Sequence, residues 1–373
     1  MTAELDVVVN LLWLAPGRVG GSEQYLVRQL AGLPALSDVS PRLFVQRPFV
    51  AAHRELTDRF ATDVWPVKRD WRGARIVAEH SWLAVRSRTA DVVHHGGGTV
   101  PIAAPRPIVL TVHDLQYLVH PQYFSRARLT YLRWMMPRST RRAAVVAVPS
   151  AFVRATVIDA FAIDPERVVV VPHGVPAAQP VGPGAIEAVR ARWALGARPY
   201  VVYPAITHPH KGHAVLVDML AELDGELALV LVGGHGAAEA DVMAAVRDRA
   251  VADRVVRTGR IPDGDRDALI EGAEALVFPS EYEGFGAPLV EAMTLDTPIV
   301  AGNQPAVCEV VGDAGLIVSE RGADAGAAWA AAVRTAIERR DELVALGRAR
   351  RRHFTIDASG TALAAAYRQA ARE

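Results

Sequence analysis

The stretch Ala275-Leu276-Val277-Phe278-Pro279-Ser280-Glu281-Tyr282-Glu283-Gly284-Phe285-Gly286-Ala287-Pro288-Leu289-Val290-Glu291-Ala292-Met293 contains, in order, the signals of a strand, a turn and a helix. Ala275 to Phe278 is short and apolar, which reads as a buried strand. Gly284 and Gly286 make the turn, and Pro288 suits a first helical turn because its missing N–H has no helical partner to lose. The amides of that first turn are unpaired, so a strand, a glycine turn and a helix N-terminus together form an anion pocket. Glu283 and Glu291 stand at opposite ends of the segment. Acceptors for hydroxyls and donors for phosphate therefore come from one short piece of chain.

Outward from this stretch, short apolar runs recur and end in turn residues: Val7 to Trp13, Ile108 to Val112, Val145 to Val148, Val168 to Val171, Tyr200 to Tyr203, Leu227 to Val232 and Ile299 to Ala301. Between them lie helical patterns such as Gln24 to Leu33, Ala214 to Leu223 and Ala238 to Val246. Alternating strands and helices imply parallel sheets covered on both faces, with ligands gathered beyond the carboxyl ends of the strands. The 373 residues exceed one typical core, and Pro176-Ala-Ala-Gln-Pro-Val-Gly-Pro-Gly184 has the composition of a linker. The expected division is residues 1–176 and 185–356. With 51% hydrophobic and 22% charged residues and zero net charge, the composition is that of a globular protein without a global field for nucleic acid. The lone Cys308 excludes an intrachain disulfide framework and fits a reducing compartment. An acidic N-terminus argues against a secretory signal, and no apolar run is long enough to span a bilayer, so a cytoplasmic location is expected, with attachment to a membrane from outside it as the variant.

Pro279 to Met293 resembles the E-x7-E signature of the retaining glycosyltransferases of family 4, which have the GT-B fold of two Rossmann-like domains facing across a cleft. The resemblance implies that Glu283 contacts the hydroxyls of the transferred sugar, that Phe285, Gly286, Ala287 and Leu289 line the donor with their amides, and that Glu291 binds the ribose diol. It further implies an acceptor-binding N-terminal domain, a donor-binding C-terminal domain, and a last helix, 357–373, that packs back on the first domain.

Other residues fall into place beside the same family. Pro16-Gly17-Arg18-Val19-Gly20-Gly21-Ser22 resembles its N-terminal glycine loop, in which Gly20 and Gly21 let the backbone approach a diphosphate and Ser22 could cap the following helix. His113, in Thr111-Val112-His113-Asp114, matches a histidine placed at the donor sugar, while His94 and His95 are candidates for the acceptor side. In His208-Pro209-His210-Lys211-Gly212, His210 and Lys211 match the basic pair that grips the donor's diphosphate in the family; His210 stands where many members have arginine, and Gly212 where many have asparagine. The backbone of Arg260 and Ile261 is expected to read the base edge. Asp263-Gly264-Asp265 mimics a metal-binding D-x-D but precedes a helical stretch, where capping is ordinary. No metal or cofactor is expected, because Lys211 and helix N-termini would neutralise the leaving group.

Leu115 to Ile158 contains no acidic residue, and Arg126, Arg128, Arg133, Arg138, Arg141, Arg142 and Arg154 are interleaved with Tyr131, Leu132, Trp134, Met135 and Met136. Such a segment suits an anionic lipid surface through 126–142, and equally an ordinary helix with a solvated basic face. The expected activity is transfer of a hexose from a nucleoside diphosphate sugar to a glycan or lipid-linked acceptor, with GDP-mannose as first donor, UDP-glucose or a UDP-N-acetylhexosamine as alternatives, and a sugar-nucleotide epimerase of the same fold as a further reading. A nicotinamide enzyme is disfavoured, since Gly234-His235-Gly236-Ala237-Ala238-Glu239 lacks the last glycine of the dinucleotide fingerprint.

Overall fold

The computed structural model describes residues 4–17, 20–34, 38–66, 72–177, 181–223 and 225–373. It contains two parallel sheets, each in its own unit: unit 1 comprises Met1–Pro176 and Phe354–Glu373, unit 2 Ala177–His353. Unit 1 holds β1 (Leu5–Asn10), β2 (Val39–Val45), β3 (Ala61–Val64), β4 (Val92–His95), β5 (Ile108–Thr111), β6 (Val145–Val148) and β7 (Val168–Val170), in the spatial order 3-2-1-4-5-6-7. Unit 2 holds β8 (Tyr200–Pro204), β9 (Ala228–Val232), β10 (Val255–Gly259), β11 (Ala275–Phe278), β12 (Ile299–Gly302) and β13 (Leu316–Val318), in the order 10-9-8-11-12-13. In both sheets the order reverses once, between β1 and β4 and between β8 and β11. A crevice opens at such a point, because the crossover helices leave the two adjacent strands toward opposite faces.

The central strands are covered on both faces and read as unbroken apolar runs. Val7, Val8 and Val9 are fully buried, as are Tyr200 to Tyr203 and Ala275 to Val277. Burying each such aliphatic side chain contributes roughly 1.5 to 3 kcal/mol against the entropy of ordering the chain.

The C-terminal helix, Ile356–Ala370, packs on the Gly21–Ala31 helix of unit 1. The two backbones meet at Gly32 and Gly360, where a Cβ on Gly360 would sit 2.0 Å from the Gly32 carbonyl. Further along, the Tyr367 hydroxyl reaches His94 Nδ1 at 2.8 Å, and His94 Nε2 meets Thr111 Oγ1 at 2.8 Å. His94 is thus a fully buried tie between β4, β5 and the last helix, and not a residue of the acceptor side.

Three local expectations are corrected. The proline- and glycine-rich stretch 176–184 is not all linker: a helix, Pro183–Arg192, starts within it, and 178–180 lie outside the described residues. Ser22 does not cap its helix, which starts at Gly21 after Gly20. The Glu23 side chain organises that turn instead, accepting the Gly17 N–H at 3.1 Å and meeting His53 Nε2 at 2.8 Å; residues 18 and 19 lie outside the described set. Asp263 and Asp265 are not caps either. They occupy the first turn of Asp263–Glu271, where they favour the helix dipole and pair with Arg266 and Arg192.

Candidate functional site

In unit 2 the switch point between β8 and β11 is where the two strongest sequence motifs meet. Lys211 follows β8 at the end of a short 3-10 turn, Pro209–Lys211, and Glu283 follows β11. Their side chains form an ion pair, Lys211 Nζ to Glu283 Oε1 at 2.6 Å, with 19% and 14% of each side chain exposed. The pair therefore lies in a partly dry setting where each charge matters more than at an open surface.

Two tethers join the two loops, and a third fixes the Glu283 loop to the helix beyond it. Tyr203, fully buried in β8, donates its hydroxyl to the Lys211 carbonyl at 2.9 Å and meets Ser280 Oγ at 2.8 Å. Since a phenol has one proton and the carbonyl can only accept, Ser280 must be the donor to Tyr203. The Glu281 N–H donates to the His210 carbonyl at 2.8 Å. Gln304, 4% exposed, accepts the Val307 N–H at the start of the Pro305–Val311 helix and donates to the Glu283 carbonyl at 3.3 Å. Tyr203, Ser280 and Gln304 escaped sequence reading because each is polar only at its tip. The one available signal was Ser280 next to Pro279 within the motif.

Gly212 closes the first loop in the left-handed region, φ +66°, and a Cβ there would stand 2.6 Å from the Pro279 carbonyl oxygen. An asparagine could supply the conformation but not the space. His208 and His210 face one another, Nδ1 to Nδ1 at 2.8 Å, so one imidazole donates to the other. Burial and the nearby Lys211 hold the His208 pKa below its ordinary value.

The Ala287–Thr294 helix begins after Gly286, whose φ of +96° again calls for glycine. Phe285 and Leu289 are buried beside it, and Glu291 is 9% exposed on its inner side. Burial works against the charge of Arg266, but the carboxylates of Glu291, Asp267 and Asp263 outweigh it and raise the Arg266 pKa. Arg260 and Ile261 follow β10, Arg260 exposed and Ile261 half-buried. A pocket of 450 Å³ lies behind the two loops, lined by His208, Gly212, Ser280, Asn303, Arg321 and Trp329 among others; neither Lys211 nor Glu283 lines it. No group of three or more His, Cys, Asp or Glu residues suited to a metal ion occurs among the described residues.

In unit 1, Gly20 has φ +71° at the start of its helix, followed by Gly21. His113 follows β5, donates its Nε2–H to the Gly96 carbonyl at 2.9 Å, and packs against Trp13 and Tyr25. Burial pushes its pKa down to about 4, so it is neutral near pH 7 and presents a polar, uncharged ring.

The basic stretch forms the helix Arg126–Arg142, capped by Ser125. Not all its arginines face outward. Arg142 donates to the carbonyls of Pro101, Ile102 and Ala104, and Arg154, on the next helix, to those of Val168 and Pro165. Arg126, Arg128, Arg133, Arg138 and Arg141 are exposed, together with Tyr131 (43%) and Trp134 (57%), while Met135 and Met136 are buried. No helix among the described residues is long and apolar enough to cross a membrane.

Residues 186–353 match the family model described as glycosyl transferases group 1, and residues 19–179 match the model of glycosyltransferase family 4. The O-antigen chain mannosyltransferase RfbU of Salmonella typhimurium is 24% identical over 348 residues, 88% of this chain and 90% of that protein. O-antigen chain mannosyltransferase B of Escherichia coli is 28% identical over 240 residues; the match spans 63% of each chain, just under two thirds of that relative. Among solved structures, Anabaena Alr3699/HepE in complex with UDP and glucose superposes with a TM-score of 0.75 at 20% identity, covering 97% of this chain and 98% of that one. The likeness of fold extends over nearly the whole chain.

Proposed function

The chain belongs to the family 4 glycosyltransferases of GT-B fold, and on that premise we propose that it transfers a hexose, mannose from GDP-mannose in the first instance, to a hydroxyl of a glycan or lipid-linked acceptor. The observation that carries this reading is the Lys211–Glu283 pair at the β8/β11 switch point, beside the N-terminus of the Ala287–Thr294 helix. An ammonium suited to a diphosphate and a carboxylate suited to sugar hydroxyls are held 2.6 Å apart. Each neutralises the other until a donor supplies both partners.

In the proposed reaction the bond between the anomeric carbon and the diphosphate oxygen breaks as the acceptor oxygen bonds to that carbon on the same face. The acceptor's proton passes to the departing diphosphate. Retention is the family's stereochemistry, and no protein nucleophile is required. Lys211 and the first-turn amides of the Ala287 helix meet the charge that grows on the leaving group, which is where fixed donors accelerate a reaction most. Glu283 orients the sugar, Glu291 takes the ribose diol, and the backbone of Arg260 and Ile261 takes the base. His113 offers the sugar a neutral hydrogen-bonding ring. The mannosyl donor is favoured by the names of the two O-antigen relatives. UDP-glucose or a UDP-N-acetylhexosamine is the alternative donor, supported by the UDP and glucose named for the solved neighbour.

We further propose that the exposed face of the Arg126–Arg142 helix rests on an anionic lipid surface on the cytoplasmic side. Its exposed arginines carry charge, and Tyr131 and Trp134 carry apolar area, to a headgroup layer.

Calorimetric titration with GDP, UDP and ADP, without metal and then with magnesium, tests the donor assignment. Preference for GDP without metal is expected; preference for UDP moves the donor to glucose or an N-acetylhexosamine, and binding of none overturns the reading. Lys211→Ala is expected to lower turnover by roughly 100- to 1,000-fold in a folded protein. Turnover near the wild-type rate would remove Lys211 from the mechanism.

A further inference from the structure

His208 and His210 stand on the loop that follows β8, both half-buried, with ring centres 4.7 Å apart and Nδ1 facing Nδ1 at 2.8 Å. At that distance one proton lies between the two nitrogens. Each neutral imidazole carries a single proton, so the ring that donates has an unprotonated Nε2 and the ring that accepts carries its proton on Nε2. The neutral pair can therefore take one more proton, at that unprotonated Nε2, without losing the bond between the rings. The bond becomes stronger, because its donor is then an imidazolium. A further proton would set two cations face to face and break it.

The charges around the pair decide which state it adopts. Burial, and after it the Lys211 ammonium, holds the His208 pKa below its ordinary value and favours the neutral pair. Lys211 is itself matched by Glu283 at 2.6 Å. Arg257, which reaches Thr207 beside the pair, is matched by Glu239 at 2.7 Å. Around the pocket that His208 lines stand Asp241, Glu281, Glu320 and Arg321, together with Asp218, which pairs with Arg249 at 2.7 Å. A diphosphate on Lys211 shifts this balance in one direction. It brings two negative charges and covers the ammonium that opposes protonation of His208.

We propose that the His208–His210 pair takes up one proton from solvent when the donor's diphosphate binds, with His208 as the positioning residue that acts through His210. The proposal rests on the glycosyltransferase reading and adds a proton as a co-ligand of the donor. An arginine at position 210 would bring its charge permanently and bind the diphosphate without a proton. The histidine pair has to acquire that charge. Because the bound protein holds the proton more tightly than the free protein does, donor affinity is greatest at low pH and falls as pH rises through the range between the free and bound pKa values.

The test is calorimetric titration of the full-length protein with GDP-mannose and with UDP-glucose, in buffers of unequal ionisation enthalpy, between about pH 6 and 8. Neither probe carries a group that titrates in this range, so the protons exchanged belong to the protein. Wild type is expected to take up close to one proton per donor bound, and its affinity to weaken by about tenfold across the range. In His210→Arg the uptake should vanish and the affinity stay level with pH. In His208→Asn the uptake should fall by about half or more, since the remaining imidazole has lost the partner that shares its charge. Donor binding by the wild type without proton uptake overturns the proposal, as does uptake that persists unchanged in both variants. Should circular dichroism show one variant unfolded, the other decides on the same criterion. Binding of neither probe overturns the glycosyltransferase reading itself, and the proposal with it.

Discussion

Tyr203→Phe removes one oxygen atom from the centre of unit 2 and tests whether the donor loops are held by a single strut. The ring fills the same space, so no cavity contributes to the result. What is lost is the acceptor for Ser280 Oγ and the donor for the Lys211 carbonyl, at 2.8 and 2.9 Å. Ser280 is 2% exposed, so solvent replaces little of this. Leaving a buried polar group unpaired costs about 1 to 3 kcal/mol; with Ser280 free to rotate, a loss of about 2 kcal/mol is expected. For a unit of this size that corresponds to a fall in melting temperature of about 4 to 8 °C. Because the strut spaces Lys211 from the β11 loop, affinity for nucleoside diphosphate should fall with it by about 3- to 10-fold, equal to about 1 kcal/mol. Urea unfolding, differential scanning calorimetry and nucleotide titration measure the three effects. A double-mutant cycle with Ser280→Ala should give a coupling of about 1 kcal/mol. Stability within about 0.5 kcal/mol of wild type, with unchanged nucleotide affinity, would refute the strut.

Gly212→Ala forces a Cβ to within 2.6 Å of the Pro279 carbonyl at a left-handed φ, so the loops must part; nucleotide affinity should drop at least about tenfold by calorimetry, and an unchanged value would contradict the close contact. Acid should destabilise the protein well above the carboxylate range. His94 and His95, with pKa values near 3, and His113 and His213, near 4, are depressed by burial, whereas the unfolded chain takes up their protons near 6.5. Their stabilising effect is complete above about pH 6.5 and is lost as pH falls toward the folded values, on the order of 1 to 2 kcal/mol per histidine at pH 5. A urea midpoint that does not move between pH 7.5 and 5 would count against these burials. Vesicles containing phosphatidylglycerol should sediment the protein where phosphatidylcholine alone does not, and the pair Tyr131→Ala and Trp134→Ala should weaken the association. Equal behaviour on the two lipids would eliminate the proposed surface.

Sequence legibility followed the physics of each element. Central strands such as β1, β6 and β11 were visible as apolar runs because both their faces are covered. β2 was not, since Pro41 interrupts it and argues against an inner strand, yet it lies between β1 and β3, with Pro41 opposite Val7. β3 and β13 are short edge strands with half-exposed residues, and β10 is only half-buried. The loops around Lys211 and Glu283 were legible because glycine and proline fix their backbones. The hydrogen bonds that join Asn10 to Glu79 and His95 were not, because the three residues come from three separate elements far apart in the chain. A polar Asn10 ending an otherwise apolar run was the one available hint.

The return of the C-terminal helix to unit 1 sets a timetable for synthesis. A chain emerging from a ribosome presents the seven strands of unit 1 first, but the groove between the Gly21–Ala31 helix and β5–β6 stays uncovered until Tyr367 and its neighbours arrive. Unit 2, contiguous from Ala177 to His353, can complete its core before that moment. The part made first is thus finished last. A nascent protein halted before residue 356 would display a folded unit 2 beside a unit 1 with an open apolar face, the state in which a chaperone or a protease would meet it.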